Sequence, residues 1–160
     1  MPDGKPWGGR SSWNTNYYKD TPNTGVTRYY DWTVSKIPCA PDGVNVTCLA
    51  VNNQVPGPLI EANWGDWFEI TVKNDIADEG TAIHWHGLLQ KDTPEQDGVP
   101  GIDQCPIAPG STFTYRFQAD LYGTSWYHSH YSEQYGSGLF GPIVIYGPDH
   151  TECDVDLGPV

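Results

Sequence analysis

The sequence is short of positive charge: 8 Lys and Arg stand against 20 Asp and Glu, for a formal charge of −12. Nucleic acids and anionic membranes are held by basic faces that neutralise phosphate, so this balance argues against both as partners. The acidic residues are scattered (Asp3, Asp20, Asp31, Glu61, Asp66, Asp120 among them), which is the pattern of a solvated surface. No apolar run approaches the roughly 20 residues of a membrane-spanning helix. No stretch of useful length repeats its apolar residues at the helical period. Internal repeats and low-complexity segments are lacking as well. Methionine occurs once and histidine only five times.

What the chain has instead is aromatic residues and turn formers, with 7 Trp, 10 Tyr, 18 Gly and 14 Pro. Disordered chains are poor in aromatic and β-branched residues, so this composition points to short strands joined by tight turns. A length of 160 residues fits one domain with a proper core. Residues 1–27 are polar and aperiodic and read as an extended arm lying on something else. From Arg28 the pattern changes to short β-branched and aromatic runs: RYYDWTVSKI, VTCLAV, WFEITVKN, TAIHWHGLL, STFTYRF, TSWYHSH and LFGPIVIY. Turn-forming stretches separate them, namely APDGVN, NNQVPGP, NDIADEG, IAPG and LYGT. Strands of this length predict an all-β sandwich or barrel of antiparallel strands over 28–147. Phe68, Ile70 and Val72 are expected on one face, as are Phe113, Tyr115 and Phe117, because strand side chains repeat every second residue. Residues 148–160 read as a linker leading into a further domain.

The four cysteines are Cys39, Cys48, Cys105 and Cys153. An even count, together with the sequon Asn45-Val46-Thr47, points to an oxidising, extracytoplasmic setting and a secreted glycoprotein. The opening MPDGKPWGGRSSW has no apolar core of the signal-peptide kind, so export information is expected upstream of it or already removed. Cys39 and Cys48 flank the hairpin turn APDGVN, where a disulfide would stabilise the fold by roughly 2–3 kcal/mol.

The scarce histidines are placed together. His84 and His86 form one H-x-H pair and His128 and His130 another, which leaves only His150 elsewhere. On a strand, positions i and i+2 point to the same side. Each pair therefore projects two imidazoles one way, with Ile83 and Trp85, or Tyr127 and Ser129, on the other. Two pairs on neighbouring strands would present four imidazoles to one volume of space. Such a set suits copper, zinc, iron or nickel, and the residue types alone do not choose among them. A single buried histidine is usually a hydrogen-bonded core residue; two pairs are hard to explain by packing.

These pairs lie in longer motifs: HWHG at 84–87, DGVPG at 97–101, QCPIAPG at 104–110 and GTSWYHSHY at 123–131. Together with DTPNTGVTRYYDWTV, NNQVPGPLIEANWGDWFEITVKN and GLFGPIVIYGP, they resemble the first cupredoxin domain of a multicopper oxidase, in particular of the laccases of ascomycete fungi. The resemblance runs from about residue 20 to the end. It implies a cupredoxin-like Greek-key β-sandwich, cut from a three-domain copper oxidoreductase that oxidises phenols, lignin among them, and reduces dioxygen to water outside the cell.

The resemblance also implies roles. His84 would ligate a type 2 copper, His86 and His128 one type 3 copper, and His130 the other. The remaining ligands of that trinuclear cluster, and the type 1 copper with its H-C-H motif, would come from domains outside this chain. Asp97 would serve proton delivery near the cluster; read by itself it is equally an ordinary turn Asp before Gly. Trp85 and Trp126 are expected beside the cluster, limiting water. Cys105 matches a cysteine that pairs with one near the distant C-terminus, and Cys153 has no evident partner. Half a cluster implies no oxidase activity for these residues alone. An ascorbate oxidase or a ferroxidase shares the same cluster, and a stand-alone copper-binding module would need only the four histidines. A single-domain blue copper carrier fails, because no Cys stands in the H…C…H…M order such a site requires.

Overall fold

The computed structural model describes residues 4–148, 155 and 157–159. Eight strands are present among them: β1 (Thr27–Cys39), β2 (Val46–Val51), β3 (Ile60–Asn63), β4 (Trp67–Asn74), β5 (Ile83–Trp85), β6 (Thr112–Gln118), β7 (Gly123–Ser129) and β8 (Phe140–Tyr146). They form two four-stranded sheets, in the orders β2-β1-β4-β6 and β3-β8-β7-β5. Two short 3-10 turns, Pro94–Gln96 and Gln134–Ser137, are the only helical elements among the described residues.

The alternation read from the sequence decides which side of each strand is buried. Phe68, Ile70 and Val72 are fully buried, and Tyr115 and Phe117 meet them from β6 across the register Ile70↔Tyr115 and Phe68↔Phe117. The core between the sheets is dominated by aromatics. Trp32 lies 4.5 Å from Tyr127, and Trp85 lies 4.7 Å from Phe117 and 5.2 Å from Tyr115 by ring centroid. Each such ring removes on the order of 150–250 Å² from water, so a few of them supply most of the burial that holds the sheets together.

Two features differ from the sequence reading. The sandwich is not wholly antiparallel, because β1 runs parallel to β4 and β3 parallel to β8. Strand direction depends on which strands become neighbours, and local patterning carries no information about that. The strand β3 was also not predicted: its four residues follow a proline-rich turn and are too few to show a period. The β1–β2 hairpin is present with the register Cys39↔Val46 and Ile37↔Cys48, and Cys39 and Cys48 are disulfide-bonded with Cα atoms 5.9 Å apart. In its turn Gly43 takes φ +87°, and the Asp42 carboxylate accepts the Val44 N–H. Asn45 is exposed there.

The segment before β1 is folded onto the sandwich. Trp7 is buried, the Thr21 hydroxyl donates to the Asp120 carbonyl, and Thr24 donates to the buried Asp66 carboxylate. Asp66 also accepts from Arg28 Nε at 2.8 Å and from the Asn63 N–H at 2.9 Å. A buried carboxylate is tolerated only when paired in this way. The expected linker at 148–160, with His150 and Cys153, lies almost entirely outside the described residues.

Candidate metal centre

β5 and β7 are antiparallel neighbours, with Ile83↔Ser129, His84↔His128 and Trp85↔Tyr127 in register. Because side chains alternate, Ile83, Trp85, Tyr127 and Ser129 turn into the core, where all four are fully buried. The histidines turn outward. The pairing continues past the strand ends: His86 N–H donates to the Trp126 carbonyl and His130 N–H to the Ala82 carbonyl. His84 and His128 therefore stand directly opposite each other, flanked by His86 on one side and His130 on the other.

The ligand nitrogens of His84, His86 and His128 lie within 4.8 Å of one another. His130 stands outside that trio on the same face, with ring centroids 5.6 Å from His84 and 6.1 Å from His128. Hydrogen bonds fix which ring nitrogens remain free. His84 Nδ1–H donates to the Asp97 carbonyl at 2.8 Å, and His128 Nδ1–H donates to the Ser129 carbonyl at 3.0 Å. Nε2 is thus the ring nitrogen each has left to offer a metal, that of His128 standing within hydrogen-bond distance of His86. His86 turns the other nitrogen inward, its Nδ1 lying 3.3 Å from His128 Nε2. Burial, against the hydrogen bond to the Ser129 carbonyl that raises it and with repulsion from His84, His86 and His130, holds the His128 imidazole below its ordinary pKa. That favours the neutral ring, which is the ligating form. Three imidazoles whose ligand nitrogens converge in this way fit a nitrogen-preferring metal such as copper.

Asp97 reaches the site through a backbone constraint. Gly98 takes φ +82°, and a Cβ there would run into the Ile83 carbonyl oxygen. Only glycine lets the DGVP stretch lie flat against β5. Asp97 thereby places a carboxylate oxygen 3.3 Å from His84 Nδ1, in addition to its carbonyl, while its side chain stays about a third exposed. The two tryptophans behave differently from each other. Trp126 shares the outward face and stacks on His128 at 4.1 Å. Trp85 does not lie beside the histidines: it points into the core on the opposite face and donates its Nε1–H to the Gln96 carbonyl. Position i+1 of an H-x-H strand has to face away.

Supporting residues escaped the sequence reading. The Tyr115 hydroxyl crosses the sandwich from β6 and accepts the Ile83 N–H at 3.0 Å, where β5 begins. Burial pushes that phenol up to about 12, so it stays protonated. Asn74 holds the loop before β5, donating to the Glu79 and Ile107 carbonyls and accepting from the Ile76 N–H. Gln134 lies buried beneath both strands. Polar residues within apolar runs carry no pattern that marks them in advance. Cys105 is free and exposed.

A sandwich with an outward cluster of paired histidines on two adjacent strands is the frame of a copper-binding cupredoxin-like domain. A family model described as "Multicopper oxidase" matches residues 33–150, and the chain belongs to that family. Within it the similarity is to fungal laccases. The chain is 53% identical over 152 residues to Laccase-2 of Botryotinia fuckeliana, covering 95% of this chain and 26% of that protein. It is 56% identical over 154 residues to oxidoreductase OpS5 of Beauveria bassiana, covering 96% of this chain and 26% of that one. The crystal structure of the laccase from Botrytis aclada superposes with a TM-score of 0.81 at 54% identity, over 84% of this chain and 25% of the other. The chain thus spans about a quarter of the length of these relatives.

Proposed function

We propose that this domain supplies half of the ligands of a trinuclear copper cluster in a laccase-type oxidase. The oxidase would remove single electrons from phenolic substrates, lignin among them, and reduce dioxygen to water. The observation that carries the reading is the convergence of His84, His86 and His128 within 4.8 Å on two paired strands, with His130 next along the same face. Copper held there would supply one-electron redox chemistry and a binding place for dioxygen. His84 would serve the type 2 position, His86 and His128 one type 3 position and His130 the other; the remaining ligands and the type 1 copper would come from further domains.

Asp97 is assigned to proton delivery. Reduction of one dioxygen to two waters consumes four protons. A carboxylate that touches His84 at 3.3 Å and is still partly exposed can pass them inward from solvent. The ring of Trp126, stacked on His128, covers one side of the cluster and keeps bulk water from it. The Cys39–Cys48 disulfide and the exposed Asn45 sequon favour a secreted, N-glycosylated protein. None of the described helices is long and apolar enough to cross a membrane.

Dioxygen uptake with a phenol tests the reading. The 160 residues alone are expected to consume dioxygen no faster than free copper. The same chain joined to two further domains, which bring two more H-x-H pairs and an H-C-H motif, is expected to turn over. A longer protein with both additions that stays inactive when copper-loaded would sink the proposal.

A further inference from the structure

β5 has three residues, and its pairing with β7 covers three positions. So short a ladder fixes the register of the two histidine pairs but restrains their separation and tilt weakly. A second connection runs beneath it. Gln134, in the 3-10 turn that follows β7, is 3% exposed. Its Oε1 accepts from the Thr81 hydroxyl at 2.8 Å and from the Ser129 hydroxyl at 2.7 Å. Its Nε2 donates to the Gly80 carbonyl at 2.8 Å. Thr81 and Gly80 lead into the HWH strand, whereas Ser129 is the central residue of HSH. One amide therefore ties both histidine strands together from the side opposite the imidazoles.

The tie has no alternative partners. Thr81 and Ser129 are both fully buried, so neither hydroxyl can turn to water if Gln134 is lost. Ser129 Oγ also accepts the Tyr131 N–H at 3.1 Å, which holds the chain just beyond His130. The neighbouring Tyr135 extends the same turn to the outer face, its ring edge-on to His128 at 5.7 Å. The turn thus grips the sheet from both sides at the level of the histidines.

We propose that Gln134 is a positioning residue of the metal centre: through Thr81 and Ser129 it sets the spacing between the His84/His86 and His128/His130 pairs. The proposal rests on the four-histidine reading above, and its test separates the two. The probe is Cu²⁺ alone, titrated calorimetrically into the full chain. Amide hydrogen exchange at His86 and His130, whose N–H groups close the β5–β7 ladder, is followed in parallel. The variants are Gln134→Met, close in length but unable to bridge, and Ser129→Ala, which cuts the tie to HSH together with the bond from the Tyr131 N–H and leaves the Gly80 and Thr81 side of the amide intact. Ile70→Val, at a buried position of the other sheet, serves as a control for general destabilisation.

The expected result is about tenfold weaker Cu²⁺ binding for Gln134→Met, in the range seen when groups supporting metal ligands are removed. Faster exchange at the His86 and His130 amides should accompany it, and Ser129→Ala should show the same pattern more weakly. Ile70→Val should change neither. Unchanged Cu²⁺ affinity, with exchange at those amides no faster than in Ile70→Val, would overturn the proposal. Wild-type chain that takes up no Cu²⁺ overturns the four-histidine reading instead, and the exchange comparison then decides the role of Gln134. Should Gln134→Met not fold, Ser129→Ala carries the same two readouts.

Discussion

At the scale of single residues, the site depends on small backbone and charge effects. Gly98 combines a left-handed φ of +82° with a path against the Ile83 carbonyl. Gly98→Ala is expected to destabilise the fold by about 2–4 kcal/mol, adding conformational strain to overpacking, and urea denaturation measures this directly. Asp120 offers a pH-dependent counterpart. Burial raises its carboxyl pKa above the ordinary 3.8, against hydrogen bonds from the Leu89 and Lys91 N–H groups that lower it. The folded state therefore favours the protonated form. Its contribution is fully present below about 3.8 and is lost as pH rises through the folded pKa. Comparing wild type with Asp120→Asn by urea denaturation at pH 3 and pH 7, the stability of wild type relative to the variant should fall as pH rises. A difference that stays constant, or grows, would contradict the sign.

At the scale of elements, the histidine strand β5 is too short to hold itself. It is positioned from three directions: by β7 alongside, by Gln134 at its lead-in, and by Tyr115 from the opposite sheet. Tyr115→Phe removes the acceptor of the Ile83 N–H and leaves a buried donor unpaired, which costs about 1–3 kcal/mol. Thermal melting checks the loss. The β1–β2 hairpin lies in the other sheet. Replacing Cys39 and Cys48 by Ser should cost about 2–3 kcal/mol through the released loop. Cu²⁺ affinity of the folded chain should stay the same, a combination that calorimetry and denaturation together resolve.

At the scale of the whole molecule, the outer face of the β5–β7 pair is a partly open surface. His86 and His130 are exposed there, and so is Tyr135 at 50%, its ring edge-on to His128. Under the proposed function, this is the face that would be turned toward further domains. The exposed thiol of Cys105 lies on the loop that leads from this region to β6. The isolated chain carrying Cys153→Ser is expected to form a disulfide-linked dimer on non-reducing electrophoresis, and adding Cys105→Ser should abolish that band. A purely monomeric Cys153→Ser chain would show that the Cys105 thiol has no reach to a second copy.

The sequence by itself determined the strand class, the buried faces of β4 and β6, the Cys39–Cys48 hairpin and the common side taken by the two histidines of each H-x-H pair. Each of these rests on a period of two or on turn chemistry, which neighbouring residues encode locally. Only the tertiary structure decided which strands became neighbours. The parallel pairings of β1 with β4 and β3 with β8 came from it, as did the placing of His84 opposite His128. It also turned the histidine side of both strands outward and brought Tyr115 and Gln134 beneath the metal face. A buried hydroxyl or amide takes whichever partner the fold brings within about 3 Å, and a partner dozens of residues away leaves no local pattern to read.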